Sequence, residues 1–242
     1  MKAILLAGGK GRRLAPLTEE VPKCMVKVGN KTIIEYQLDS LKKAGINDIV
    51  IIGGYFHEKL KSFLLEKYPS LNFKFFQDPK YAYTNTLHGL YVAREAMDDD
   101  FLLFNADVIF HHDILKRVLE SEHKNALAVE KKQCTDEEVK VRTNGKRILE
   151  IGKHLDPSNC AGEFIGIAKF SKEATPEFKK RLENFVHHGM SNFFFEAALQ
   201  SMINDVEHHE VDISDLPCTE IDFLADLKRA ETFIDVIEES NK

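Results

Sequence analysis

The stretch AILLAGGKGRRLAPLTEEVPKCMVKV, residues 3–28, decides how this chain is read. A continuous apolar run, Ala3 to Ala7, enters Gly8-Gly9-Lys10-Gly11 and then Arg12-Arg13. Glycine has no Cβ, so it lets a backbone turn sharply and bring its N–H groups close to an anion. Arg13 can grip phosphate oxygens with its planar fork, and Lys23 can add a point charge. A strand-to-loop turn with solvated cations is the plainer alternative for the same residues.

Two sharper motifs fail on inspection. The dinucleotide fingerprint needs G-x-G-x-x-G, but "GKGRRL" has Leu14 where the third glycine belongs. The P-loop string G-x-x-x-x-G-K-[ST] does not occur. Working outward, further short apolar runs appear at Asp48–Ile52, Phe73–Phe76 and Phe101–Phe104. Amphipathic stretches separate them. Ile34, Leu38 and Leu41 share one helical face, ended by Gly45; Leu60, Phe63 and Leu64 share another; Leu87, Leu90, Tyr91 and Met97 share a third, capped by Thr84 or Asn85. This alternation predicts an α/β fold: a Rossmann-like, doubly wound, mostly parallel mixed sheet flanked by helices, with ligands at the carboxyl ends of its strands.

After about Ala126 the pattern changes. Leu127–Glu130, Val139–Arg142, Ile148–Ile151 and Phe164–Phe170 read as strands, with Asn144-Gly145 as a hairpin turn. Helices are expected at Glu177–Phe185 and Asn192–Ile203, and a closing helix should carry Phe223, Leu227, Ala230, Ile234 and Ile237 on one face. One domain is expected over 1–242, with a nucleotide-binding half (1–125) and an acceptor-binding half (126–242).

Composition bounds the function. The 242 residues carry 39 Asp+Glu against 33 Lys+Arg, a net charge of -6, which argues against a nucleic-acid coat. Four scattered cysteines exclude zinc-ribbon and C-x-x-C chemistry and suggest no disulfide framework. The first apolar run is too short for a signal sequence or membrane span. A soluble cytoplasmic protein is the expectation, with no membrane and no nucleic acid among its partners.

The string Gly8–Leu14, followed by Pro16-Leu17-Thr18 and Pro22-Lys23 and continued as VGNKTIIEYQLDSLKKAGINDIVII, resembles the nucleotidyltransferases that make nucleotide-activated sugars and alcohols. The likeness runs through most of the chain and is strongest over residues 1–110. It implies that Leu6, Ala7, Gly8, Gly9, Lys10, Gly11 and Arg12 border a nucleoside triphosphate, with Arg13 and Lys23 as catalytic cations. Asp107 in FLLFNADVIF and Asp222 in TEIDFLADLKRA match the family's magnesium pair. Hard carboxylate oxygens suit a Mg²⁺ shared with phosphates. Taken singly, Asp107 could equally be a strand-end cap and Asp222 a helix N-cap.

Within the family the chain looks most like the phosphocholine cytidylyltransferase branch and its phosphoamine and phosphonate relatives, through QDPKYAYTNTLHGLYVAREAM, GEFIGIAKFS and TEIDFLADL. That resemblance implies CTP as donor and a small phosphorylated or phosphonate acceptor, with CMP transferred and pyrophosphate released. Activated head groups of this kind feed cell-surface polysaccharide or lipid synthesis. Gln77, Thr84, Asn85 and Thr86 become candidates near base and ribose. Lys153 is expected on a substrate phosphate and Lys140 at the acceptor, although solvated lysines explain both as well. Glu163 and Glu196 could meet an amino group on the acceptor. Phe193–Phe195 could wall the pocket, but helical spacing favours core for at least two of them. A quaternary ammonium prefers an aromatic box, and the chain has no Trp. A primary amine or amino acid therefore fits the acids around Glu137-Glu138 at least as well as choline.

A sugar-1-phosphate nucleotidyltransferase using UTP or dTTP, and a catalytically silent nucleotide sensor, are the competing readings. A homodimer is compatible with the family, but the sequence specifies no oligomeric state. Three histidine pairs, His111-His112, His187-His188 and His208-His209, read as solvated or capping groups. Lys131-Lys132 reads as ordinary exposed charge.

Overall fold

The computed structural model describes every residue from Met1 to Lys242. The first half runs β1 (Lys2–Ala7), β2 (Lys27–Val28), β3 (Lys31–Thr32), α1 (Ile33–Lys43), β4 (Asp48–Gly53), α2 (His57–Lys67), β5 (Asn72–Gln77), α3 (Thr86–Val92), β6 (Phe101–Asn105), β7 (Val108–Phe110) and α4 (His112–Glu120). The second half follows as β8 (Ala126–Glu130), β9 (Lys140–Asn144), β10 (Arg147–Gly152), β11 (Gly162–Phe170), α5 (Thr175–His187), α6 (Glu196–Met202), β12 (His209–Asp212), β13 (Cys218–Glu220), α7 (Leu224–Glu231) and α8 (Ile234–Ser240).

Strand β1 is the axis. It pairs in parallel with β4 on one side and β6 on the other, and β4 pairs in parallel with β5. The order β5-β4-β1-β6 thus reverses direction between β1 and β6. A doubly wound sheet opens its ligand crevice at such a switch point, beyond the carboxyl ends of the strands. The glycine turn after β1 and the Asn105–Asp107 turn after β6 flank that crevice. Antiparallel β11 then joins β6 to β8, and β12, β10 and β9 complete a nine-stranded sheet. The fold is the expected mixed α/β sheet flanked by helices. Its parallel part is the β5-β4-β1-β6 group, while the second half is joined chiefly by antiparallel pairs.

Strand alternation sends β1 side chains into two cores. Ala3, Leu5 and Ala7 pack with Leu38 and Leu41 of α1, Leu60 of α2 and Leu115 of α4. Ile4 faces the opposite way, toward Leu87 and Leu90 of α3, Phe178 of α5 and Leu199 of α6. A third cluster joins Ile234 and Ile237 of α8 and Leu227 of α7 to Val28, Tyr36 and Ile109. Helix α1 begins at a capping box, with the Thr32 N–H and hydroxyl both donating to Glu35 Oε2 at 2.8 Å.

Several expected elements shift. The hairpin between β9 and β10 turns on Gly145-Lys146, one residue later than expected, because Asn144 still pairs with Arg147. Helix α3 stops at Val92, leaving Met97 beyond it. The closing helix is two helices, and Phe223 caps α7 with its ring exposed. Residues 192–195 form a turn before α6, so helical spacing does not govern the three phenylalanines. Only Phe195 is core; Phe193 and Phe194 are about half exposed.

The histidine pairs are corrected in part. His111 does cap α4, accepting the Asp113 N–H at 3.2 Å. His208 is instead fully buried, its Nδ1 donating to the Val206 carbonyl at 2.8 Å and its ring standing edge-on to Phe170. Burial pulls its pKa from the ordinary 6.5 down to about 4. Between those values the unfolded chain binds the extra proton, so stability is full above about 6.5 and falls as pH drops toward about 4. Urea unfolding at pH 7 and pH 4.5 should show His208→Leu losing about 2–3 kcal/mol less than the unmodified chain over that interval. Equal losses would refute the assignment.

Candidate active site

The glycine turn presents its amides outward. Its carbonyls are taken from within: Lys23 N–H donates to Gly9 O at 3.2 Å, Tyr55 N–H to Gly8 O at 3.3 Å, and the Thr18 hydroxyl to Gly11 O at 2.8 Å. The amides of Gly8, Gly9, Lys10 and Gly11 donate to no group in the chain. A row of unspent N–H groups is an anion-binding concavity. Gly11 has φ +62°, and a Cβ there would stand 3.0 Å from Thr18 Cγ2 and 3.1 Å from Lys23 Cβ. Glycine alone keeps both the turn and the approach of Lys23.

The two aspartates meet. Buried Gln37 donates to the carbonyls of Asn105 (2.9 Å) and Val108 (2.8 Å), which fixes the turn bearing Asp107. The ribbon of β7 and β13 pairs Val108 with Glu220, and the Ile221 N–H donates to Asp107 O at 2.9 Å. Asp226 accepts the N–H groups of Asp222 and Phe223, so the backbone of Asp222 is held as well. Lys23 Nζ lies between the pair, 2.6 Å from Asp107 Oδ2 and 2.5 Å from Asp222 Oδ1. Arg13 reaches Asp222 Oδ2 at 2.7 Å and lies over the Phe223 ring, 4.5 Å from its centroid.

Charge follows from this geometry. Burial opposes the Lys23 ammonium, but Asp107 and Asp222 outweigh it and hold its pKa above the ordinary lysine range. Desolvation would raise Asp222, yet Lys23 and then Arg13 keep it low. Glu220 is pushed up to about 8, first by the Asp107 charge and then by burial. Oxygens of Asp107, Glu220 and Asp222 lie within 4.8 Å of one another, and buried Asp107 Oδ1 has no hydrogen-bond partner. Three crowded hard donors, one of them orphaned, fit a Mg²⁺-type cation.

One cavity of about 480 Å³ runs from this cluster into the second half of the chain. Leu6, Gly8, Gly9, Gly11, Arg12 and Arg13 border it, as do Lys23, Thr84, Asn85 and Thr86. So do Asp107, Lys153, Glu163, Glu196 and Asp222. Lys153 Nζ sits over the Phe194 ring, 5.5 Å from its centroid. Glu196 is buried, one oxygen unpartnered, and desolvation raises it to about 7. No histidine or serine lines the cavity.

Four expected positions lie elsewhere. Ala7 alternates with Leu6 and faces the core. The Lys10 ammonium rests over Tyr55, 5.1 Å from the ring centroid, outside the cavity. Gln77 is exposed at the end of β5, the sheet edge two strands from β1. Lys140 is wholly buried, donating to the carbonyls of Thr135 (2.9 Å), Glu138 (3.1 Å) and Asp136 (3.4 Å). It orders the 135–138 loop, whose Glu137 and Glu138 do border the cavity.

Others had been missed. Asp78 and Asn105 line the cavity. Lys132 is not ordinary exposed charge: it enters the cavity and bridges Glu163 Oε2 (2.5 Å) and Glu130 Oε2 (3.1 Å). Only Glu220 carried a sequence signal. It stands two residues before Asp222, the spacing that puts neighbours on one side of an extended chain.

A family model described as Nucleotidyl transferase matches residues 2–140. The chain is 33% identical to CTP:phosphoglutamine cytidylyltransferase of Campylobacter jejuni over 94% of its own length and 98% of that protein. It is 29% identical to choline-phosphate cytidylyltransferase of Streptococcus pneumoniae, covering 97% and 98%. A solved structure of the CTP:phosphocholine cytidylyltransferase of S. pneumoniae superposes with TM-score 0.78 and 26% identity, covering 96% of this chain and 98% of that one. No helix is long and apolar enough to cross a membrane.

Lys140→Met decides between its two roles. A loop organiser should lose about 1.5–3 kcal/mol of stability in denaturant unfolding, since its carbonyls forfeit a charged donor. A phosphate contact would instead leave stability unchanged and raise the acceptor KM.

Proposed function

The chain belongs to the nucleotidyl transferase family, and from that premise we propose that it is a Mg²⁺-dependent cytidylyltransferase transferring CMP from CTP to a small phosphorylated amine, amino acid or phosphonate. The observation that carries this reading is the charge of the cavity's two regions. Unspent glycine amides, Arg13 and Lys23 stand by the Asp107–Asp222 pair. Elsewhere the wall bears Glu130, Glu137, Glu138 and Glu163 against Lys132. The first region suits a triphosphate and the second a cationic head group.

In the reaction an acceptor oxygen attacks the α-phosphorus of CTP. The new O–P bond forms as the bond to the bridging oxygen breaks, and pyrophosphate departs with that electron pair. A phosphate monoester has its second pKa near about 6, so the nucleophile is already largely ionised at neutral pH. No protein base is needed, which agrees with a lining free of histidine. The obstacle is repulsion between anions. Asp107, Glu220 and Asp222 would hold Mg²⁺, which when bound offsets phosphate charge. The glycine amides and Arg13 grip the triphosphate, Lys23 steadies the carboxylates that face it, and Lys153 meets a phosphate from the other wall.

Names of the relatives support CTP as donor and a phosphorylated small molecule as acceptor. Among acceptors, N–H-bearing cations suit these carboxylates, and the cavity offers Phe164, Phe194, Phe223 and Tyr81 but no Trp. A sugar phosphate has no cationic group for the acids to meet.

Pyrophosphate release with Mg²⁺ should occur with CTP and an amine-bearing phosphate or phosphonate, and not with UTP, dTTP, ATP or GTP. Turnover confined to glucose 1-phosphate with UTP or dTTP would overturn the proposal. Asp107→Asn should cut kcat by about a hundredfold or more while circular dichroism shows the chain still folded. Glu163→Gln should raise KM about tenfold for phosphoethanolamine or phosphoglutamine, whichever is turned over, and leave KM for CTP unchanged. A shift in both constants would refute its acceptor role.

A further inference from the structure

Strand β11 begins wedged between two neighbours. Glu163 pairs with Glu130 of β8 on one side and with Lys140 of β9 on the other. The connection 131–139 joins β8 to β9, so it has to cross the chain where β11 starts. The crossing is close: a Cβ on Gly162 would collide with the Glu130 carbonyl and stand 2.9 Å from Lys131 Cα. Cys134 lies in the crossing segment, and Cys160 lies two residues before β11. Carried on antiparallel from Glu130 and Glu163, the register sets Gln133 opposite Cys160. Cys134 is thus one residue from direct opposition.

The two thiols meet. Burial first, and then a side-chain contact with Cys160, push the Cys134 thiol up to about 12. Cys134 is buried and Cys160 half-buried. Their remaining contacts are weak: Cys134 Sγ donates to the Lys132 carbonyl at 3.7 Å, and Cys160 Sγ to the Pro157 carbonyl at 3.3 Å. Neither thiol borders the cavity, and the reaction proposed above uses neither.

We propose that Cys134 and Cys160 are a thiol–disulfide pair, oxidised by a small disulfide such as glutathione disulfide, and that the bond between them reshapes the acceptor wall. Cys160, the more exposed sulfur, reacts first. Its thiolate attacks one sulfur of glutathione disulfide, and one glutathione leaves as a thiolate with the electron pair. Cys134 then attacks Sγ of Cys160, its proton passing to solvent, and the second glutathione departs. Two protein thiols are oxidised while one disulfide is reduced to two thiols. That this wall serves the acceptor is taken from the function proposed above; formation of the bond does not depend on it.

A disulfide sets its sulfurs about 2.0 Å apart, well inside any contact between free thiols. Closing it must therefore move the backbone at Cys134 or Cys160. Lys132, Glu137 and Glu138 flank the first cysteine, and Glu163 follows the second by three residues. All four border the cavity. A binding site tolerates displacements of only about half an ångström, so oxidation should weaken the acceptor's fit.

Alkylation under denaturing conditions after exposure to glutathione disulfide tests the bond. The oxidised chain should take up two alkyl groups where the reduced chain takes up four, and peptide mapping should join Cys134 to Cys160. Its acceptor KM should rise about fivefold with KM for CTP unchanged, and dithiothreitol should restore it. Cys160→Ser should keep its three cysteines alkylatable and hold its acceptor KM constant through the same treatment. Cys134→Ser should stop at the mixed disulfide, with one glutathione on Cys160. Four alkylatable cysteines after oxidation, or a bond to Cys24 or Cys218, would overturn the pairing. A mapped Cys134–Cys160 bond with acceptor KM unmoved would overturn its effect on the wall. Failure to turn over any amine-bearing phosphate would overturn the proposed acceptor instead, and the alkylation count would still decide the bond.

Discussion

The site depends on one ammonium group. Lys23 Nζ contacts carboxylates that stand 84 and 199 residues away in the chain, and it is itself buried. Removing a charge from water costs several kcal/mol, and a carboxylate pair facing each other would repel without it. The arrangement is tolerable because each desolvated charge has an opposite partner at hydrogen-bond distance. Its benefit is organisation. The loop after β1, the turn after β6 and the segment before α7 are brought to one point. Neutral packing could join these segments more cheaply, but it would leave no carboxylates on this part of the cavity wall.

A second lysine repeats the device in the other half. Lys132 bridges Glu130 and Glu163, and although burial disfavours its charge, the two acids hold its pKa above the ordinary range. Glu163 shows the opposing balance: burial raises it and Lys132 pulls it back. Both regions of the cavity therefore consist of acids gathered around a tethered cation. They differ in what surrounds the cluster. Around Lys23 lie free amides and arginine, and around Lys132 lie more carboxylates and backbone. One chemistry of assembly thus produces two regions of different surroundings in one cavity.

What could be read from the sequence was whatever depends on local pattern. Strand β1, its glycine turn and the faces of α1 and α2 follow from runs and periods of a few residues, and these appear within a residue or two of where they were expected. Lys140 was misplaced because nothing near it in sequence says that its own loop will curl back over its side chain. At least two of Phe193–Phe195 were assigned to core on a helical period, and the turn before α6 removes that period, leaving only Phe195 buried. Lys132 looked solvated because its partner Glu163 lies on another strand. Asp78 gave no signal, since what marks it is a hydroxyl, an imidazole and an amide converging on it. The residues that eluded the sequence are those defined by a partner rather than by a pattern.

Charge within the cavity also constrains how the reaction is powered. Outside the Lys132 cluster, the cavity's Arg12, Arg13, Lys23, Lys153 and Arg229 are set against Asp78, Asp107, Glu196, Glu220, Asp222 and Asp226. Those groups nearly cancel, so the side chains alone offer little net attraction to a triphosphate and a phosphate brought together. The free glycine amides add oriented dipoles but no net charge. A divalent cation on the acidic trio would supply the balancing positive charge, and the proposed metal dependence rests on this balance as well as on the resemblance. It also gives the acids a purpose. Without a metal they would still join three segments through Lys23, but they would cancel the charge of the arginines and lysines around them.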